Sequence, residues 1–570
     1  MQLLLENWGK RSWSYGRPRV WQIAGVALAS GLALLLASCG GSSTPASGGG
    51  GQPTLQSVSV TPTAASLNVG STLQFKATAG YSDGSSKDVS ASAQWSSTDP
   101  TVASIESNNQ STPGLATGVA PGNVNISATL SGVPGITTLN VVGSGSLTAF
   151  SISHADPTIA TNATLPLFGY AEYSDGSAGW VTSTTHWTSS DGGVATIQDQ
   201  GQSTPGLVSA TNTPGATTIT ASFNGMQATT TVTVAANAVP INLMDMSASQ
   251  NYLHFAGGLY ENNGKNPPSD HDAAGRAAAA AIQPLDQNGN ASADGAIVFL
   301  GIGMSNADQE FGSFASAASA SGSGVNPKVA VKDGAMGAAT ACYWTVAQGQ
   351  TLNSCPDAKG VLLENQYDRV RDQVLAQAGL SEKQVQVLWI KNANPRPGIA
   401  SQGGPALRTL CDTNTSGCLN DANTDAIHYE AQLGETIRAA KSRYPNLKQV
   451  FLSTRIYAGY STVGLNPEPY AYEYGYSAKW LIEAQVLQER NGTVDPVAGD
   501  MSYTSGIAAW TAWGTYLWAN GSTPRSDGTV WLQGDFQSDG THPNAEGTQK
   551  VVNLLMTYFL GSPYTPWFRP

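Results

Sequence analysis

The chain has 570 residues, too many for one ordinary domain, so several are expected. Charged residues make up 12% against 63 Gly and 30 Pro, a balance that suits β-rich modules and long loops and argues against coiled coils. The formal net charge is −12 and no basic block stands beyond the N-terminus, which excludes nucleic-acid binding built on clustered Lys and Arg.

Residues 1–38 read as a targeting segment and 39–54 as a flexible tether. Lys10, Arg11, Arg17 and Arg19 form a basic start, the uncharged run WQIAGVALASGLALLLAS follows, and Cys39 closes it. That order is the pattern of a signal peptide. LLASCGG resembles the cleavage box of bacterial lipoproteins. The resemblance implies that Cys39 becomes a lipidated N-terminus, that the membrane is met through this anchor, and that the rest of the chain is exported. Gly40, in place of an Asp after the Cys, implies the outer membrane in a Gram-negative cell. An uncleaved anchor is the alternative, because the run is nearly long enough to span a bilayer. The GGSSTPASGGGGQPT tether behind Cys39 favours the lipoprotein.

Next comes a duplication. YSDGS occurs at Tyr81 and Tyr173, a Trp–Ser/Thr–Ser segment at Trp95 and Trp187, and QSTPGL at Gln110 and Gln202, each pair 92 positions apart. Fixed-period self-similarity marks one structural unit repeated. Short alternating strands such as STLQFKATA and TTITASF, set between Gly, Pro, Asn and Asp turns, predict a β-sandwich in each copy, over 55–143 and 146–236. The VSVTP opening, the YSDGS hairpin and the VASI strand resemble bacterial Ig-like group 2 domains. That resemblance implies a surface spacer or adhesion module. His154 and His186 stand alone here and are expected to be ordinary surface or half-buried residues.

From about 240 the texture changes. Apolar runs GAIVFLGIG, KVAVKDG, VQVLWIKNAN and KQVFLSTRIY alternate with the amphipathic stretches ENQYDRVRDQVLAQAG, HYEAQLGETIRAAKSRY and AEGTQKVVNLLMTYFL. Strand–helix alternation predicts an α/β domain with a parallel sheet covered on both faces, over 240–570. Active sites in such sheets lie at the carboxyl ends of the strands. Those ends carry Ser305 in GMSN, Gly334 and Gly337 in DGAMGAA, and Asn392 and Asn394 in NANP; DGTHPN, with Asp539 and His542, precedes the last helix. A Ser hydroxyl needs an imidazole to take its proton. The imidazole needs a carboxylate on its other nitrogen, and the oxyanion needs fixed donors.

The order Ser, Gly, Asn, Asp-x-x-His resembles the SGNH hydrolases, or GDSL esterases, over roughly 290–560. The resemblance implies a flavodoxin-like parallel sheet with Ser305 as nucleophile, His542 as general base and Asp539 as its orienting carboxylate. It also implies an oxyanion hole from the Ser305 N–H, one glycine (Gly334 preferred, Gly337 the alternate) and one asparagine (Asn394 preferred, Asn392 the alternate). The family's Gly-Asp-Ser is here Gly303-Met304-Ser305, and its Gly-x-Asn-Asp is KNANP.

Other constellations read as structural. Cys342 with Cys355, and Cys411 with Cys418, are spaced as two local disulfides of an exported protein; no CxxC pair or His cluster favours metal. Asp270, His271 and Asp272 in SDHD precede an Ala-rich helix and lack a second ligand cluster. His254 and His428 are single. Trp510, Trp513 and Trp518 are either core residues or stacking platforms for sugar rings. The expected function is a lipid-anchored serine esterase acting on esters, by family analogy acetyl esters of carbohydrates, with no metal or organic cofactor required. The alternatives are a non-catalytic surface adhesin or glycan-binding lipoprotein, and a metal-dependent phosphoesterase.

Overall fold

The computed structural model describes residues 53–63, 65–346, 365–399, 406–411 and 423–570. Cys39 and the targeting segment lie outside the described residues, as do Cys355 and Cys418. Cys342 and Cys411 are each disulfide-bonded; with Cys355 and Cys418 not described, the pairing is not assigned.

The two copies of the repeat have one topology. In the first, a four-stranded sheet runs in the order Ala65–Asn68, Val133–Val142, Gly122–Leu130, Gln94–Ser97. In the second, the order is Thr158–Ile159, Met226–Val234, Gly215–Phe223, His186–Ser189. Each copy adds two three-stranded sheets with matching connections. Alternate residues of Gly122–Leu130 point into the core, as the period of two requires. Trp95 and Trp187 fill equivalent core positions, and their indole N–H groups donate to Ser90 O (2.8 Å) and Thr182 O (3.1 Å).

Beyond residue 290 lies a five-stranded sheet in which every pairing is parallel: β1 (Ile297–Gly303), β2 (Val329–Asp333), β3 (Val385–Lys391), β4 (Gln449–Leu452) and β5 (Trp510–Trp513), in the order β2-β1-β3-β4-β5. β1 and β3 are buried along their whole length, which explains their unbroken apolar runs. Val298, Leu300 and Ile302 face one core with helices α3 (Asp425–Arg443) and α4 (Tyr470–Asn491). Ile297 and Phe299 face the other with α2 (Ser305–Ala318) and α5 (Ala545–Gly561), and α1 (Ser269–Ala280) packs there too. β5 falls in the Trp-rich stretch, and α4 in YAYEYGYSAKW, neither of which the periodicity identified. The expected helix over ENQYDRVRDQVLAQAG is instead a short α turn that widens into a π segment at Val370–Leu375.

Thr54–Pro570 form one compact unit, and the second β module is part of it. His154, expected near the surface, is fully buried in the junction. Its Nε2 meets Glu468 O at 2.8 Å and its ring stacks on Tyr470 with centroids 5.1 Å apart. Burial pushes its pKa down to about 4. The buried ring is therefore neutral when folded but titrates near 6.5 when unfolded. Its contribution is present above pH 6.5 and is lost as pH falls from 6.5 towards 4, by roughly 3 kcal/mol. Chemical denaturation at pH 7 and pH 4.5 checks this: the stability lost between them is expected to be smaller in His154→Gln than in the parent chain.

Candidate active site

Ser305 is the first residue of α2 and follows the end of β1. Gly303, at φ 155°, makes that turn possible, because a Cβ there would lie 2.0 Å from Lys391 O at the end of β3. The loop before α5 brings the other partners. Its Gly540, at φ 66°, lies against the backbone of Tyr460, where a Cβ would approach the carbonyl oxygen to 1.8 Å. Asn544 caps α5 by accepting from the N–H groups of Glu546 and Gly547 at 2.9 and 3.0 Å. DGTHPN thus forms a turn at Gly540 and leads into the capped start of α5.

It also reaches Ser305. The Ser305 Oγ lies 2.7 Å from His542 Nε2, and His542 Nδ1 lies 2.5 Å from Asp539 Oδ2. The other Asp539 oxygen accepts from the N–H groups of Thr541 (2.9 Å) and His542 (3.0 Å), which fixes the carboxylate. Burial pushes the Asp539 carboxyl up. The hydrogen bonds from the His542 ring and from the two N–H groups outweigh it and hold the carboxyl below the usual carboxylate range. The His542 and Asp539 side chains remain 19% and 27% exposed, so the line of groups opens to solvent on one side. Asn306, next to Ser305, donates to Thr541 O at 3.1 Å and ties the start of α2 to the loop before α5. Sequence reasoning passed over Asn306, although GMSN contains it.

The donors around Ser305 divide differently from expectation. Gly334 is a correction: its N–H is spent on Gly301 O at 2.8 Å, extending the β1–β2 ladder. The Gly337 N–H has no hydrogen-bond partner among the described residues, and the space where a Cβ would stand is open. Ala338, next to it, has φ 67°, a conformation that costs a residue with a Cβ. Asn394 donates from Nδ2 to Asp425 Oδ1 at 2.7 Å, and Asn392 from Nδ2 to Ala339 O at 3.3 Å. Each amide keeps a second hydrogen, and both residues are buried at the end of β3.

Charged groups are buried beneath. Lys391 and Glu310 form an ion pair with side chains 1% and 0% exposed. Burial pushes Lys391 down to about 8 and Glu310 up, against their mutual attraction. Arg455, 1% exposed after β4, has no hydrogen-bond partner among the described residues for any of its three side-chain nitrogens; Glu310, Glu468 and Asp539 attract it. Periodicity gives no signal for these, since Lys391 closes an apolar run, Arg455 follows the polar Ser453 and Thr454, and Glu310 is a charged residue on the buried side of α2.

Of the two readings of the tryptophans, the core one holds. Trp510, Trp513 and Trp518 are 1%, 3% and 1% exposed, and their indoles donate to His271 O, Leu259 O and Glu468 Oε1. They are core residues and offer no face to a sugar. In SDHD, Asp270 pairs with Arg490, Asp272 with Arg276, and the buried His271 faces Thr511 O at 3.0 Å.

Residues 54–139 are a bacterial Ig-like domain (group 2). Over 188 residues, 33% of this chain, the sequence is 40% identical to Ice-binding protein 1 of Shewanella frigidimarina (strain NCIMB 400). The match spans only 20% of that relative's length. Among solved structures, domains 5–6 of the S-layer protein SbsC align with 32% of this chain and 98% of their own at 22% identity, with a TM-score of 0.15. A C-terminal 282-residue fragment of intimin aligns with 33% of this chain and 69% of its own at 17% identity, with a TM-score of 0.12.

The ion pair beneath the site gives a direct test. Lys391→Met leaves the buried Glu310 carboxyl without its direct partner and is expected to cost about 3–5 kcal/mol in denaturant unfolding. Replacing both, Lys391→Met with Glu310→Leu, is expected to recover most of that loss.

Proposed function

We propose that the chain is an exported, lipid-anchored serine esterase of the SGNH type. The observation that carries the proposal is the 2.7 Å approach of Ser305 Oγ to His542 Nε2, with Asp539 on the far nitrogen. The order β2-β1-β3-β4-β5, shared by doubly wound sheets of the flavodoxin type, supports it. Ser305 and Asn394 follow β1 and β3, the two strands at which that order reverses, where such sheets hold their ligands.

In the proposed reaction His542 Nε2 takes the Ser305 proton as Oγ bonds to the ester carbon. Asp539 holds Nδ1–H and stabilises the imidazolium. The oxyanion is met by the Ser305 N–H at the start of α2, the Gly337 N–H and an Asn amide, with Asn394 preferred and Asn392 the alternate. The protonated His542 returns its proton to the leaving alkoxide, and the alcohol departs. Water, deprotonated by His542, then attacks the acyl-enzyme and releases the acid. Loss of Gly334 from the donor set leaves these steps intact, because Gly337 stands on the same loop. The substrate class, a carbohydrate ester with a short acyl group, rests on the export signal, the Ig-like modules and family analogy, and no longer on the three tryptophans. The Ig-like domain and the partial match to an ice-binding protein favour a second reading, a surface binder without turnover.

Turnover of p-nitrophenyl acetate by the full chain separates the two. Ser305→Ala is expected to lower it by about 10⁴-fold or more, and Asp539→Asn by about 10⁴-fold through loss of the correct tautomer. Unchanged turnover in Ser305→Ala points to another nucleophile and ends this proposal.

A further inference from the structure

We infer that the second β module is a positioning element of the esterase site rather than a spacer before it; this inference rests on the proposed esterase reading. Two loops of the parallel-sheet region are clamped between that module and the candidate site. The first is 395–399, which continues directly from Asn394. The Arg396 guanidinium donates to the Tyr170 hydroxyl and lies over the Tyr170 ring, 4.9 Å from its centroid. Two residues on, Gly398 lies against the backbone of His154 so closely that a Cβ would stand 2.0 Å from its nitrogen.

The second loop is 458–469. On one face it meets the module: Gly464 lies against the Trp180 ring, where a Cβ would come within 2.2 Å, and Glu468 O meets His154. On its other face it supports the acid–base pair. The Thr462 N–H donates to Asp539 O at 2.9 Å, and the Thr541 hydroxyl meets Leu465 O at 3.3 Å and Ser461 Oγ at 3.2 Å. The two loops are joined, since the Asn466 N–H donates to Pro395 O at 2.9 Å.

The module's contact residues are themselves braced. Trp180 meets Tyr170 edge-on at 4.8 Å and Phe168 at 5.8 Å. The chain at His154 is held by Thr230, whose hydroxyl donates to His154 O at 2.7 Å. A rigid sandwich thus presses on the backbone beside Asn394 and on the loop behind Asp539 and His542. Loops are the least constrained parts of a fold, and displacements of about an ångström at a catalytic group cost up to about 100-fold in rate. The module removes that freedom. The join between the two β modules, where Asn123 Nδ2 meets Ser183 Oγ at 2.6 Å, touches neither loop.

The test uses the full chain and p-nitrophenyl acetate. Trp180→Ala is expected to lower kcat by about 10- to 100-fold with KM little changed, while Trp180→Phe restores most of it and Asn123→Ala leaves kcat at the parent value. Tyr170→Phe, which removes only the hydroxyl on Arg396, is expected to lower kcat by a few-fold with the fold intact by circular dichroism, and it decides the matter should Trp180→Ala not fold. Parent-level kcat in folded Trp180→Ala and Tyr170→Phe overturns the inference while leaving the esterase reading standing. Absence of turnover in the parent chain overturns both.

Discussion

The meeting of Ser305 with His542, 237 positions apart in the chain, is the contact on which everything else depends. It is a backbone problem before it is a chemical one. Four parallel pairings deliver the strand ends to one edge of a sheet, and α5 starts from a loop returning to that edge. Two glycines then let main chain touch main chain, Gly303 against Lys391 and Gly540 against Tyr460. With those approaches made, a hydroxyl, an imidazole and a carboxylate line up, the first pair at 2.7 Å and the second at 2.5 Å. The Asp539 carboxylate is then fixed by N–H groups of its own loop.

The surroundings are electrostatically uneven. The Ser305–His542–Asp539 line is partly open to water, while Lys391, Glu310 and Arg455 are removed from it almost entirely. Buried charges interact more strongly than exposed ones because little water screens them. Such a core is expensive unless its charges balance. Lys391 and Glu310 meet that condition by direct pairing, and Arg455 meets it at longer range among Glu310, Glu468 and Asp539. The same carboxyl of Glu468 accepts from Ala458, Tyr472 and Trp518, so the loop behind His542 is anchored to the core as well as to the β module.

Much of this was legible in the sequence, for reasons that differ by element. The duplicated module was visible because Trp95 and Trp187, 92 positions apart, do the same packing job. β1 and β3 were visible because burial on both faces demands unbroken apolar runs, and α5 because its apolar stripe follows an Asn cap. β5 was hidden because Trp510–Trp513 is short and mixed in composition, and α4 because it is buried nearly all round and shows no polar face. The preference for Gly334 failed because position after a strand does not reveal that the N–H still belongs to the ladder. His154 was misjudged because nothing local marks a residue buried against a loop more than 300 positions away.

The central claim is that His542 activates the Ser305 hydroxyl. Labelling of the full chain with a fluorophosphonate, followed by peptide mass spectrometry, tests it most directly. The account predicts a single adduct on the peptide carrying Ser305, formed rapidly in the parent chain and nearly abolished in His542→Ala. An unlabelled parent chain, or equal labelling of Ser305 in His542→Ala, would contradict it.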